Sequence, residues 1–258
     1  IIGVVMRILF TVFMWIMGSI FGSFFNVVGY RIPKNLSIVS PGSFCPKCNH
    51  KLKWYELIPI VSYLIQGGKC RSCHEKISVI YPMIEITTAI LFSTSYFVFG
   101  FSYELIIALV VASFLVIVIV SDINYLIIPD EVTFFFCILI FVVKLVGEGI
   151  KGSIEALLSG LFLFLLMYVI MLLGNMIFKK ESLGGGDVKL MFFVGLVIGP
   201  VLGAFSIFLS SLIALPLSLI VYLKNKDNVI PFGPFILIAT FALILFRIDY
   251  SSVLSLFT

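Results

Sequence analysis

From Leu105 to Val120 the chain carries a single polar side chain, Ser113, and apolar runs of this kind recur along its length between short breaks of charge, glycine and proline. A water-soluble fold cannot hide so many of them, because its surface helices and strands each keep a polar face. Hydrocarbon is therefore the solvent, and each crossing needs roughly 20 apolar residues. Composition agrees: 61% of the 258 residues are hydrophobic and 12% charged, against about a quarter charged in soluble domains. The runs predict about eight crossings, at 8–28, 79–99, 104–121, 131–147, 153–178, 188–201, 202–223 and 231–248. The weakest division is Gly199-Pro200, and merging across it gives seven. The first run reads as a retained span, since no small-residue cleavage site follows it.

The cationic residues orient such a chain. With eight crossings, thirteen of the 17 Lys and Arg residues fall on one side, from Arg31 to Lys76, at Lys179, Lys180 and Lys189, and at Lys224 and Lys226. Arg7, Lys144, Lys151 and Arg247 face the other. Cytoplasmic loops carry the excess of positive charge, so both termini face out and the 30–78 loop faces the cytosol. The net charge of +4 is spent on topology, and no nucleic-acid partner is implied.

That loop holds two C-x-x-C pairs, Cys45/Cys48 and Cys70/Cys73, with 21 residues between them. The spacing is that of four-thiolate zinc sites. Four thiolates complete a tetrahedron, so the expected role is structural. Two disulfides are the alternative, disfavoured in a reducing compartment. His74 is a candidate substitute ligand, His50 reads as a solvated loop residue, and Cys137 as a small buried hydrophobe.

Carboxylates within spans are costly and need a reason. Asp122 closes the third expected span and Asp187 opens the sixth after Gly184-Gly185-Gly186. In the eight-span topology both lie at the cytosolic surface. Two adjacent carboxylates share a proton, so one activates water while the other protonates a scissile carbonyl. The bland readings are a helix end for Asp122 and an N-cap for Asp187. Asp130, after Pro129, reads as an N-cap. Glu85 reads either as a structural acceptor or as a substrate contact, and Lys189 as a neighbour that favours ionisation of one carboxylate. Gly18 and Gly22 form a G-x-x-x-G helix-packing pair. Asn26 and Arg31 are read either as holding a cofactor or substrate, or as a buried hydrogen bond and a headgroup anchor.

Taken in order, these features resemble the bacterial type IV prepilin peptidases. The resemblance rests on Gly22-Ser-Phe-Phe-Asn-Val-Val-Gly-Tyr-Arg-Ile-Pro33, both cysteine pairs, Glu56-Leu-Ile-Pro59, Tyr81-Pro82 with Glu85, Asp122 to Asp130 ending in Ile-Pro-Asp, Gly184-Gly-Gly-Asp-Val-Lys-Leu190 and Ile230-Pro-Phe-Gly-Pro-Phe235. Asn124 departs from a common third acidic residue, and Gly29 and Phe44 depart in minor ways. The resemblance implies an all-α polytopic membrane protein with a small cytosolic zinc-binding loop, divided as 1–29, 30–78 and 79–258. It implies an aspartic endopeptidase of the plasma (inner) membrane, with Asp122 and Asp187 catalytic and Cys45, Cys48, Cys70 and Cys73 on zinc. Its substrates would be prepilins or pseudopilins, cut at the cytosolic face after a basic leader, with the new N-terminus methylated from S-adenosylmethionine. Because the 30–78 loop is itself basic, recognition of such a substrate is expected to rest on its apolar helix and on the carboxylates Glu56, Glu75 or Asp130. The competing classes are an ion or proton-coupled transporter using the same aspartates, and a noncatalytic zinc-bearing assembly factor.

Overall fold

In hydrocarbon each backbone N–H and C=O must be satisfied within the chain, which selects helices. The computed structural model describes residues 2–179, 183–224 and 231–250, and Lys180, Lys226 and Ile230 lie outside that set. Among the described residues there is no strand, only isolated bridges pairing Phe44 with Lys51 and Lys69 with Lys76. The helices are α1 (Ile2–Arg31), α2 (Val61–Ile65), α3 (Ile80–Phe99), α4 (Tyr103–Tyr125), α5 (Asp130–Phe178), α6 (Gly185–Lys224) and α7 (Gly233–Leu245). Short 3₁₀ turns follow α1 at Ile32–Lys34 and precede α2 at Trp54–Glu56.

Five of these helices, α1, α3, α4, α5 and α6, are long and apolar enough to cross a membrane. The expected spans map onto fewer helices because two pairs of them are joined end to end. Spans 131–147 and 153–178 share α5, and 188–201 and 202–223 share α6. No polar loop separates them; the interruption is one glycine in each, Gly149 at φ 74°, ψ −173° and Gly199 at φ 78°, ψ 179°. That conformation is open essentially only to glycine. A straight helix of 49 residues would be about 74 Å long, far beyond a hydrocarbon core of roughly 30 Å. The last expected span, 231–248, is a 13-residue helix, α7.

The chain forms two compact units, Ile1–Leu105 and Ile106–Thr258. In the first, α1 lies against α3 through its small residues. A β-carbon on Gly18 would stand 2.7 Å from both Ala89 Cα and Thr88 O, and one on Gly22 would stand 2.9 Å from Glu85 Cα. The G-x-x-x-G pair thus lets two backbones touch, as expected of that spacing. Phe10, Tyr96 and Phe101 close the far end of this pair of helices with ring contacts of 4.9–6.0 Å.

The second unit is organised on α4, whose Val111, Ala112, Phe114, Val116 and Val118 are fully buried. Phe114 stacks on Phe136 of α5 at 4.8 Å and meets Phe193 of α6 edge-on at 4.7 Å. Gly195 of α6 lies so close to α5 that a β-carbon there would stand 2.6 Å from Gly160 Cα. These contacts fix the heights of α4, α5 and α6 relative to one another, and so the positions of their ends.

Replacing Gly18 by Ala should cost about 1–3 kcal/mol, because the added methyl meets backbone and not a flexible side chain. Thermal unfolding in detergent reads this as a lower Tm, and an unchanged Tm would mean that α1 and α3 are not held at this distance.

Candidate active site

Three helix ends meet in the second unit. Helix α4 stops just after Asp122: the Leu126 N–H donates to the Asp122 carbonyl at 2.8 Å, and Leu126 has a positive φ of 54°. Helix α6 starts at the glycine run, where the Asp187 N–H donates to the Gly184 carbonyl at 3.1 Å. Helix α7 starts at Gly233, with Pro234 in its first turn. Asp122 is buried and Asp187 half-buried.

Their carboxylates converge on Gly233. A β-carbon built there would stand 3.3 Å from Asp187 Oδ1 and 3.4 Å from Asp122 Oδ2. The two oxygens are therefore no farther apart than the sum of those distances. Ile128, between α4 and α5, packs under both neighbours, its side chain 3.2 Å from the β-carbon position of Gly186 and 2.7 Å from that of Gly233. One on Gly184 would stand 3.3 Å from Asp187 Oδ2. Glycine thus flanks the pair on two elements. Gly233 belongs to the Ile-Pro-Phe-Gly-Pro-Phe run, which sequence reasoning matched but gave no role; the available signal was a glycine beside a proline at a helix start.

The other polar residues near these helix ends have different partners from those expected. Lys189 reaches Asp130, with Nζ donating to both carboxylate oxygens at 2.7 and 2.8 Å, so its expected action on the aspartate pair is replaced by an ion pair with Asp130. Asp130 is not an N-cap: Pro129 occupies that position and Asp130 lies in the first turn.

The four cysteines, in the first unit, form one cluster with every Sγ within 4.8 Å of the others. Cys45 Sγ lies 3.8 Å from Cys73 Sγ, and Cys48 Sγ 3.9 Å from Cys70 Sγ. A tetrahedral ion with metal–sulfur bonds of about 2.3 Å requires sulfurs about 3.8 Å apart, so the cluster fits a metal ion. The two halves are built alike. Cys45 N–H donates to the His50 carbonyl and Asn49 N–H returns to Cys45; Cys70 N–H donates to Glu75 and His74 N–H returns to Cys70, all at 2.9 Å. Asn49 and His74 share a positive φ, 57° and 56°. This short repeat, Cys45-Pro-Lys-Cys-Asn-His-Lys51 against Cys70-Arg-Ser-Cys-His-Glu-Lys76, is present in the sequence itself. His74 is a turn residue rather than a ligand in this cluster.

Backbone N–H groups of Cys48 and Lys47 point at Cys45 and lower its thiol to about 6. At Cys73 the Glu75 N–H acts the same way, but burial and the other three sulfurs outweigh it and push the thiol up to about 12. A bound cation would favour the thiolate form of all four.

Glu56 joins the two halves. Its side chain, 1% exposed, accepts from the Lys53 N–H at 2.8 Å, lies 3.3 Å from His50 Nε2 and 3.8 Å from Arg71 Nε. Arg71 also covers the Tyr55 ring at 5.0 Å. His50 is therefore a partner of Glu56 and not a solvated residue, and Glu56 is sealed from any leader. Glu75 carries Lys47 at 2.9 Å. Of the remaining candidates, Asn26 Nδ2 donates to the Tyr81 carbonyl at 3.2 Å. Arg31 donates to the carbonyls of Ser37, Pro41 and Gly42 at 3.0, 2.7 and 3.4 Å, holding the loop rather than a headgroup. Glu85 accepts from the Ile60 N–H at 2.7 Å, which is the structural role. Cys137 is half-buried in α5 and is not one of the clustered thiols.

A multi-pass, all-helical membrane protein with a four-thiolate cluster and two converging aspartates defines the class. Residues 16–99 match the model of the bacterial Peptidase A24 N-terminal domain, and residues 109–219 that of the type IV leader peptidase family. The cysteine cluster lies in the first match and both aspartates in the second. The chain is 38% identical over 224 residues to the prepilin leader peptidase/N-methyltransferase of Bacillus subtilis (strain 168), covering 86% of this chain and 88% of that one. It is 31% identical to the protein of that name from Pseudomonas aeruginosa, covering 87% and 86%, and 30% identical to that from Vibrio cholerae, covering 94% and 99%. No solved structure matches the chain. The chain belongs to the type IV leader peptidase family, which favours the peptidase reading over the transporter.

Glu56 is held below the usual carboxylate range, chiefly by the Lys53 N–H and then by His50 and Arg71. A depressed carboxylate stabilises the fold above its unfolded value and loses that effect as pH falls through the folded one. With a metal ion loaded on the cluster, Glu56→Gln should therefore release it to a chelator faster than wild type at neutral pH, with the difference shrinking in acid. Equal release rates at neutral pH would remove Glu56 as the link between the halves.

Proposed function

We propose that the chain is a membrane endopeptidase that removes the basic leader of type IV prepilins or pseudopilins at the cytosolic face of the bacterial inner membrane, and that it methylates the N-terminus so exposed. The observation that carries this reading is the convergence of the Asp122 and Asp187 carboxylates on Gly233. The functional division is 1–29, 30–78 and 79–258, and the loop 30–78 faces the cytosol, where a leader would be found.

Like charges this close oppose joint ionisation, so one carboxylate is ionised and the other carries a proton. The ionised member takes a proton from water as that water adds to the scissile carbonyl. The protonated member gives its proton to the carbonyl oxygen, yielding a neutral gem-diol. Collapse of the diol breaks the C–N bond, the amine nitrogen takes a proton from one carboxyl group, and the diol returns one to the other. No acyl-enzyme forms. Gly184 and Gly233 leave room for a substrate backbone beside the carboxylates, where any side chain would intrude.

Cys45, Cys48, Cys70 and Cys73 would hold one zinc ion. With four thiolates the ion has no open position, so it would tie the loop's two halves together and do no chemistry. S-adenosylmethionine would supply the methyl group. The crevice of ≈ 570 Å³ lined by Leu158, Ser159, Phe162, Pro200, Val201 and Ala204 does not fit that cofactor, having no charge to meet its carboxylate, ammonium or sulfonium.

Purified protein incubated with a prepilin, followed by mass measurement of the product, tests the reading. Asp122→Asn and Asp187→Asn should each lower cleavage at least about a hundredfold while leaving the loop's metal content at about one zinc per chain. Cleavage at the wild-type rate by either variant would overturn the pair.

Gly233→Ala should also impair cleavage, by up to about a hundredfold, because its methyl group would clash with Ile128 Cδ1 and crowd both carboxylates. An unaffected rate would show that Gly233 does not border the reacting carbonyl.

A further inference from the structure

The segment from Trp54 to Ile65 is built the wrong way round for water. Val61, Leu64 and Ile65, at i, i+3 and i+4, share one face of α2, and they are 48%, 70% and 71% exposed. Ser62, Tyr63 and Gln66 are half-buried instead. In a solvated loop these two faces would be exchanged, since burying three aliphatic side chains is favourable and exposing a hydroxyl and an amide costs little. Trp54 is 78% exposed, and Leu57 and Ile58 continue the apolar surface.

The depth of this segment is set by a second observation. Ile60, which precedes α2, donates its N–H to the buried Glu85 carboxylate at 2.7 Å, and Glu85 lies in the second turn of the membrane-crossing helix α3. Ile60 has φ 62° and ψ −53°, and the Val61 N–H donates across it to the Pro59 carbonyl. A β-branched residue persists in such a conformation only where its surroundings over-determine it. Here Glu85 ties α2 to the level of a membrane helix. The 30–78 loop is also tethered to the membrane at both ends, by α1 up to Arg31 and by α3 from Ile80.

Charge selects the occupant. Lys51, Lys53, Lys69 and Lys76 are exposed and have no carboxylate partner among the described residues. Lysines beside an apolar face carrying a tryptophan are complementary to an anionic lipid surface. They would repel the basic leader of the proposed substrate.

We infer that Trp54 to Ile65 forms a membrane-interface element, seated in the headgroup layer of an anionic bilayer with Val61, Leu64, Ile65 and Trp54 toward the acyl chains. The cysteine cluster would then be held against the membrane surface and not free in the aqueous phase. This inference stands on membrane residence and not on the peptidase chemistry.

The chain has two tryptophans, Trp15 and Trp54, so Trp15→Phe leaves a single reporter. The full-length variant, reconstituted in phosphatidylcholine and phosphatidylglycerol vesicles, should show Trp54 emission shifted to the blue. It should be quenched more by bromine near the headgroup end of the acyl chains than by bromine near their methyl ends, and shielded from aqueous iodide. Adding Leu64→Glu and Ile65→Glu should restore iodide quenching. Iodide quenching without bromine quenching in the single variant would overturn the inference. So would shielding that appears only when a prepilin is added, which would make this face a substrate-docking surface.

Discussion

A bilayer offers nothing to hydrogen-bond a peptide group or solvate a carboxylate, and that constraint orders the structure. Backbone is closed into helices for most of the chain, and polar chemistry is left to helix ends, where the closure fails by four groups at each terminus. Asp122 lies at the end of α4, Asp187 and Gly233 at the starts of α6 and α7. The second unit is a device for bringing those ends together. Phe114 between Phe136 and Phe193, and Gly160 against Gly195, set helix heights that place the carboxylates.

Glycine does three different jobs in this arrangement. Gly18, Gly22, Gly160 and Gly195 remove a side chain so that helices touch. Gly149 and Gly199 take conformations that interrupt long helices without a loop. Gly184 and Gly233 keep the space beside the aspartates clear. The cysteine loop is held by different means, since too few apolar groups are buried there to make a core of its own. Two matching turns present the thiols, and one buried carboxylate, Glu56, links them through His50 and Arg71.

Much of this was readable beforehand because the relevant signals are local. A long apolar run means a membrane helix whatever its neighbours do, and paired C-x-x-C spacings mean a four-sulfur cluster because each spacer geometrically lets two sulfurs reach one ion. Partners across sequence distance were not readable. Lys189 was set beside Asp187 on proximity in the chain, yet it reaches Asp130, fifty-nine residues away. His50 reads as a solvated loop residue and Glu56 as a contact for the leader because nothing local indicates that they pair with one another. The form of the breaks between crossings was not readable either: hydropathy cannot distinguish a turn with a loop from a single glycine at φ near 75°.

By itself the sequence determined the solvent, the helical class and the four thiols, and it singled out two aspartates at the ends of apolar runs, because those follow from residue type and short spacing. Tertiary structure alone decided that the aspartates meet at Gly233, that Ile128 packs against Gly186 and Gly233, and that α2 turns its aliphatic side chains outward beside a membrane helix. Each of these depends on which helix faces lie together, a property of packing that no stretch of chain carries on its own.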